Sequence, residues 1–353
     1  MDIKQTLLNI CSVDAVSGRE SSLLSVIQKL TAGIPGFAGF ASADKSGNII
    51  IFPQTVGDNG KPLLILEAHA DQIGLIVTEI EDGGFLRVSS IGGMDRRGLS
   101  AKPVTVHGRR DVKGIVTSIP PHLQKDDSAA KVNPKIEDIF IDIGEPGRCK
   151  NSVREFISPG DFVTYDFCAA ELLNETISCK SLDNRAGVAA ILKTLELLYD
   201  KNNSSKNFKY NICAVFTAQE ELGCRGALTA AWNTNPDLAI VVDVSWALTP
   251  DSKPYKCGKT GKGPMIGTAP SLDCELTRQL CSAALEADIT YQMEPVGGKT
   301  GTNADFISMS RTGIRTGLVS IPLKYMHTPA ETTALADIEK TAQLLAQFIR
   351  PGI

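Results

Sequence analysis

Four apolar runs of strand length constrain this chain more than any other feature: PLLILEA (62–68), YNICAVFT (210–217), LAIVVDV (238–244) and TGLVSIPL (316–323). Short continuous runs of this kind suit strands covered on both faces, as in a parallel sheet between layers of helices. Helical spacing separates them. Apolar residues recur at Val188, Ile191, Leu192, Leu195 and Leu198, and further helices are expected from about Arg225, over 272–287, from about Thr302 and over 335–349. Alternating strand and helix predicts an α/β fold with a mainly parallel sheet flanked by helices. Ahead of it, the spacing predicts helices over 2–12 and 18–31, the second opened by a Ser17/Glu20 capping box, and a short strand over 47–52.

Between about 74 and 166 the texture changes to short alternating runs (GLIVTEI, FLRVSS, KPVTVHG, KGIVTSI, FVTYD) broken by Gly, Pro and Asp. This reads as an all-β module inserted into the α/β domain, so residues 1–73 and 167–353 form one domain and 74–166 another. A chain of 353 residues exceeds the usual single core, which agrees with that division. The polar stretch 120–134 is expected to be an exposed mobile loop.

A net charge of −4, with 22% charged and 42% hydrophobic residues, offers no electrostatic case for nucleic acid or an anionic membrane. A small molecule or peptide is the expected partner. The start MDIKQTLLNICSVDAVSG does not read as a secretory signal, and no apolar run reaches the roughly 20 residues that cross a bilayer. Nine cysteines without CxxC pairs, including Cys213, Cys274 and Cys281 in apolar patterns, read as reduced core residues of a cytoplasmic protein.

The strand exits carry the chemistry. His69-Ala-Asp71 follows the first apolar run, Asp183 precedes a helix, Glu220-Glu221 follow the second run, Asp243 ends the third, and His327 follows the fourth. Carboxylates and imidazoles suit Zn²⁺, Co²⁺ or Mn²⁺, and strand ends are where ligands converge in an open α/β sheet. His69 is expected to bind a metal while Asp71 orients its ring. Asp183 can cap its helix and also bridge two cations. Neighbouring Glu220 and Glu221 converge only if they lie in a turn, which Gly223 permits; one then ligates a metal and the other moves a proton. Asp243 and His327 complete a set in which each metal has one histidine, one carboxylate and a share of Asp183. Each residue also has an ordinary structural use: a hydrogen-bonded histidine, a helix cap, a solvated Glu pair.

Other patterns fail. GGKT at 297–300 lacks the earlier glycine of a phosphate-binding loop, since Met293 stands there, and HExxH is absent. His107 and His122 fall in the β insert and read as structural or loop residues.

The motifs HAD (69–71), LDNR (182–185), EELG (220–223), VVD (241–243) and YMHTPAE (325–331) resemble those of the co-catalytic aminopeptidases of metallopeptidase family 42, the glutamyl and tetrahedral aminopeptidases. GGMDRRG, GIVTSIPPHL and SPGDFV extend the resemblance through the insert. It implies a zinc-peptidase-like fold with a PDZ-like dimerisation insert, and dimers that assemble into tetrahedral dodecamers. It also implies two metals per subunit, zinc or cobalt foremost: His69 and Asp243 on one, Glu221 and His327 on the other, Asp183 bridging. Glu220 is then the general base that activates a metal-bridging water, Asp71 orients His69, and short peptides are the substrates. One departure is Thr302-Asn303-Ala304, where relatives often carry Thr-Asp-Ala.

Three competing readings remain. A related di-zinc carboxypeptidase or deacylase usually carries its dimerisation insert later, between the second carboxylate cluster and the final histidine. A glucanase, a label given to some relatives as endoglucanases, could use Glu220 in an acid–base pair, but two tryptophans and 6% aromatics offer little for sugar stacking. An inactive scaffold leaves Glu220 without a purpose.

Overall fold

The computed structural model describes residues 1–37, 40–53, 60–117, 135–144, 150–200 and 207–351. The 120–134 loop and His122 lie outside the described residues. The chain forms two compact units: Met1–Gln72, Ala169–Met326 and Ala330–Ile353 make the first, Ile73–Cys168 and His327–Pro329 the second.

Helices α1 (Ile3–Cys11) and α2 (Leu24–Thr31) open the chain, followed by strands β1 (Ala41–Ala43), β2 (Ile49–Ile51) and β3 (Leu63–His69). The second unit contributes β4 (Gly74–Ile80), β5 (Leu86–Ile91), β6 (Pro103–His107), β7 (Asp111–Val116), β8 (Phe140–Asp142), α3 (Lys150–Arg154) and β9 (Phe162–Tyr165). The first unit resumes with β10 (Ala170–Leu172), β11 (Thr176–Cys179), α4 (Leu182–Tyr199), β12 (Asn211–Thr217), α5 (Arg225–Thr234) and β13 (Leu238–Trp246). It ends with β14 (Met265–Thr268), α6 (Cys274–Glu286), β15 (Gln292–Pro295), α7 (Ala304–Ile307), β16 (Arg315–Leu323), β17 (Glu331–Ala334) and α8 (Leu335–Ile349).

The main sheet of the first unit has eight strands in the order β1-β2-β12-β3-β13-β16-β14-β15. Its four central strands, the four apolar runs, are mutually parallel. Its edges are not: β2 runs antiparallel to β12, and β14 antiparallel to β16. The sheet is therefore mixed: the four strands that helices cover on both faces are parallel, β1 and β2 run antiparallel to their neighbours at one edge, and β14 and β15 form a parallel pair set antiparallel to β16 at the other. Alternation sorts the side chains. Leu64, Leu66, Ile240, Val242, Val319 and Ile321 join the core that contains α1, α4, α6 and α8, whereas Ile65, Val215, Val241 and Leu318 join the one that contains α5 and α7.

Helix α4 differs from the single apolar stripe its spacing predicts, because fifteen of its eighteen residues are buried. It packs against the sheet as well as α1 and α8, so even its small Ala186, Ala189 and Ala190 are enclosed. The capping box at Ser17 does not form. The Ser17 hydroxyl donates to Asp71, Glu20 accepts from Gly18 N and Gln219 N, and residues 20–23 make a 3₁₀ turn ahead of α2. Long-range partners have displaced the local pairing.

In the second unit, β4-β5-β8-β7-β6-β9 close an antiparallel barrel of six strands around Leu75, Val88, Val106 and Val163. The insert is thus mainly rather than wholly β, a closed barrel that also carries the short helix α3. His107 is tied within it, one ring nitrogen 3.0 Å from Asp111 Oδ1 and the other 2.9 Å from Thr164 Oγ1. Among the described residues every cysteine is free; Cys213 is in the core as expected and Cys281 is partly buried against the core that contains α1, α4, α6 and α8, but Cys274, the first residue of α6, is exposed. No described helix is long and apolar enough to cross a membrane.

Candidate active site

His69 is the last residue of β3, and strand alternation puts it on the α5/α7 face with Glu67 and Ile65. Asp243, which the run LAIVVDV places near a strand end, lies within β13 three residues before its end and shares that face with Ala239 and Val241. Asp183 sits at the start of α4 in non-helical backbone, and its own N–H donates to Glu331 Oε2 at 3.0 Å. These three residues converge. His69 Nε2 is 2.9 Å from Asp183 Oδ1 and 3.7 Å from Asp243 Oδ1, and the three ligand atoms lie within 4.8 Å of one another, all buried.

Asp71, fully buried, braces both sides of this cluster. Its Oδ1 faces His69 Nδ1 at 3.4 Å, longer than an ordinary hydrogen bond. Its carboxylate also accepts from Ser17 Oγ at 2.6 Å and from the backbone N–H groups of Glu220 and Glu221 at 3.0 and 3.2 Å. The Glu220–Glu221 pair indeed leaves the strand in a turn, with Gly223 N donating to Glu220 O and Gly223 at φ +100°. His327 belongs to the second unit, in left-handed backbone at φ +63°, its carbonyl accepting from Asp95 N.

Charge is crowded here. Burial pushes the Glu220 carboxyl up to about 7, and Glu221, Asp183 and Asp71 add to the shift while His69 opposes it. Burial likewise holds Asp243 well above the usual carboxylate range, with Glu220 and Asp183 adding. Burial alone would lower the His69 pKa, but the carboxylates of Asp183 and Asp71 outweigh it and raise it well above the ordinary value. One imidazole and two carboxylates that repel each other in a buried pocket form a donor set that a divalent cation satisfies. The residues fit a metal.

Several partners carry no local signal in the sequence. Glu331 on β17 holds the backbone of Asp183. Asn184 links α4 to β13, its Nδ2 donating to Val242 O at 2.8 Å and its Oδ1 accepting from Gly187 N at 3.0 Å. Glu67, fully buried two residues before His69, accepts from Thr217 Oγ1 at 2.6 Å and from Asn303 Nδ2 at 2.7 Å. Burial pushes its carboxyl up to about 7. The departure at Asn303 thereby gains a physical reason, since an aspartate there would set a second carboxylate against Glu67.

Comparison with known proteins puts the chain among the aminopeptidases, a class of peptide hydrolase. Residues 47–344 match the model of the M42 glutamyl aminopeptidase family, and the chain belongs to that family. It is similar to the lysyl aminopeptidase of Pyrococcus furiosus, 29% identical over 85% of this chain and 84% of that one. Among solved structures it resembles an aminopeptidase from the archaeon Desulfurococcus kamchatkensis, with a TM-score of 0.87 and 30% identity over 99% of this chain and 94% of that one. It also resembles the Pyrococcus horikoshii TET1 peptidase, which can assemble into a tetrahedron or a large octahedral shell, with a TM-score of 0.82 and 28% identity over 99% of this chain and 100% of that one.

Proposed function

We propose that this chain is a two-metal aminopeptidase that removes N-terminal residues from short peptides. In this reading His69 and Asp243 hold one metal, Glu221 and His327 the other, and Asp183 is shared. The carrying observation is the buried convergence of His69, Asp183 and Asp243 beside a turn that Asp71 anchors. Zinc or cobalt bound there supplies a Lewis acid that polarises the scissile carbonyl and makes water nucleophilic.

The chain's own residues then divide the work. Glu220 takes the proton of the attacking water and delivers it to the leaving amine as the C–N bond breaks. Asp71 orients the His69 ring and, through the N–H groups of Glu220 and Glu221, fixes base and ligand relative to that ring. Ser17 and Glu331 act one step further out, on Asp71 and on the backbone of Asp183.

Residues 1–73 and 167–353 make the catalytic domain in this reading, and 74–166 the inserted, PDZ-like domain on which copies pair. In this reading such pairs assemble further into closed shells, and the setting is cytoplasmic. The test is hydrolysis of free and N-acetylated aminoacyl anilides after chelation and again with zinc, cobalt or manganese restored. Metal-dependent cleavage confined to free N-termini is expected. Glu220→Gln should keep its metal and lose at least about a hundredfold in kcat; full activity in that variant removes the mechanism.

A further inference from the structure

We propose that Glu294 is a specificity-determining residue that draws basic N-terminal side chains, lysine and arginine, into the site; this rests on the aminopeptidase reading. Ala239 and Val241 face the α5/α7 core, so Asp243 and Ser245, the next odd positions of β13, continue on that face. Ser320 is paired with Asp243 across β13 and β16 and lies two residues beyond Leu318, another residue of that core. Glu294, on the edge strand β15, reaches both serines: Ser245 Oγ donates to its Oε1 and Ser320 Oγ donates to its Oε2 at 2.6 Å.

That reach depends on the strand between. Gly267 on β14 is paired with Glu294, and a Cβ there would come within 2.9 Å of Leu318 Cβ, so no side chain stands in the way at that position. From Glu294 the chain runs on to Asn303, whose amide meets Glu67 and Thr217 on the same face, two residues from His69. The Glu294 carboxylate and the metal-binding candidates therefore share one face at one end of the sheet.

Chemistry supplies the rest. Both carboxylate oxygens of Glu294 are held by hydroxyl donors, and among the described residues no Lys, Arg or His pairs with it. A carboxylate fixed by neutral donors and lacking a counter-charge is a ready partner for a cation on the substrate. Residues two apart on a strand are about 6.5 to 7 Å apart. Ser320 is the cross-strand neighbour of Asp243 and Ser245 lies two residues beyond it, so the two serines hold the carboxylate within reach of a lysine stem from Asp243, where the substrate's reacting end would sit.

The experiment compares kcat/KM on lysyl, arginyl, leucyl and glutamyl anilides for the metal-loaded enzyme and for Glu294→Gln. Glutamine can still accept from one serine through its oxygen and donate to the other hydroxyl through its nitrogen, and a thermal melt checks the fold. The unaltered enzyme should prefer lysyl and arginyl substrates, and the lysyl-to-leucyl ratio should drop by about tenfold or more in Glu294→Gln, mostly through KM. Glu294→Lys should invert the preference towards glutamyl anilide. A residue that only braces the strands would lower all substrates alike; an unchanged ratio, or no basic preference to begin with, overturns the proposal. If no anilide is cleaved, the aminopeptidase reading fails on its own account. Calorimetry of lysinamide against leucinamide binding to the metal-loaded protein still decides the role of Glu294, which is rejected if Glu294→Gln leaves that discrimination unchanged.

Discussion

Glu67 and Asn303 show how one residue sets the terms for another across 236 positions of sequence. The amide nitrogen of Asn303 gives hydrogen bonds to both the Glu67 carboxylate and the Thr217 hydroxyl, inside a fully enclosed patch beside His69. Asn303→Asp should therefore replace a donor with a second buried negative charge and cost about 3 kcal/mol or more. Exchanging the groups, Asn303→Asp with Glu67→Gln, restores one carboxylate and one amide and should recover most of that loss. Chemical denaturation of the two variants measures it. If the double variant is no more stable than Asn303→Asp, the two side chains are not coupled as the hydrogen bond implies.

The critical junction between elements is the meeting of α4 with β13. Asn184 spans it, and Gly187 lets the two backbones approach: a Cβ at 187 would lie 2.3 Å from Asn184 Oδ1 and 2.9 Å from Val242 O. Asp183 and Asp243 flank this contact, one on each element. Gly187→Ala should push α4 off the strand, destabilise by about 2 kcal/mol, and weaken metal retention because the two carboxylates separate. Equilibrium dialysis with zinc reads the second effect. A variant that melts lower but holds its metal as tightly would show that the junction matters for packing alone.

For the molecule as a whole, a cation bound among buried like charges ties ligand affinity to stability. A metal at about a hundred times its Kd contributes about 2.7 kcal/mol to the folded state. Chelation should lower Tm by several degrees, zinc or cobalt should restore it, and His69→Ala should abolish the response. A Tm indifferent to both chelator and metal would count against the two-metal reading. Light scattering tests the assembly: dimers or larger closed shells are expected, and a monomer at micromolar concentration would reject pairing through the insert.

Local periodicity and chemistry determined a good deal by themselves. The four apolar runs became the four parallel central strands, the β texture after residue 74 became a barrel, and His69, Asp183 and Asp243 were candidates before their convergence was visible. Such features are legible because strand and helix periods, and the cost of a carboxylate in an apolar run, are properties of neighbouring residues. Only the tertiary structure decided the rest. Ser17 looks like a helix cap until Asp71 takes its hydroxyl, Glu331 has no visible purpose until β17 carries it to Asp183, and Glu294 looks like an ordinary edge residue until the sheet order lets it reach Ser245 and Ser320. Those partners are set by which strands lie side by side, and the order β12-β3-β13-β16-β14-β15 is fixed by how the helices pack on the two faces, a choice that no stretch of neighbouring residues contains.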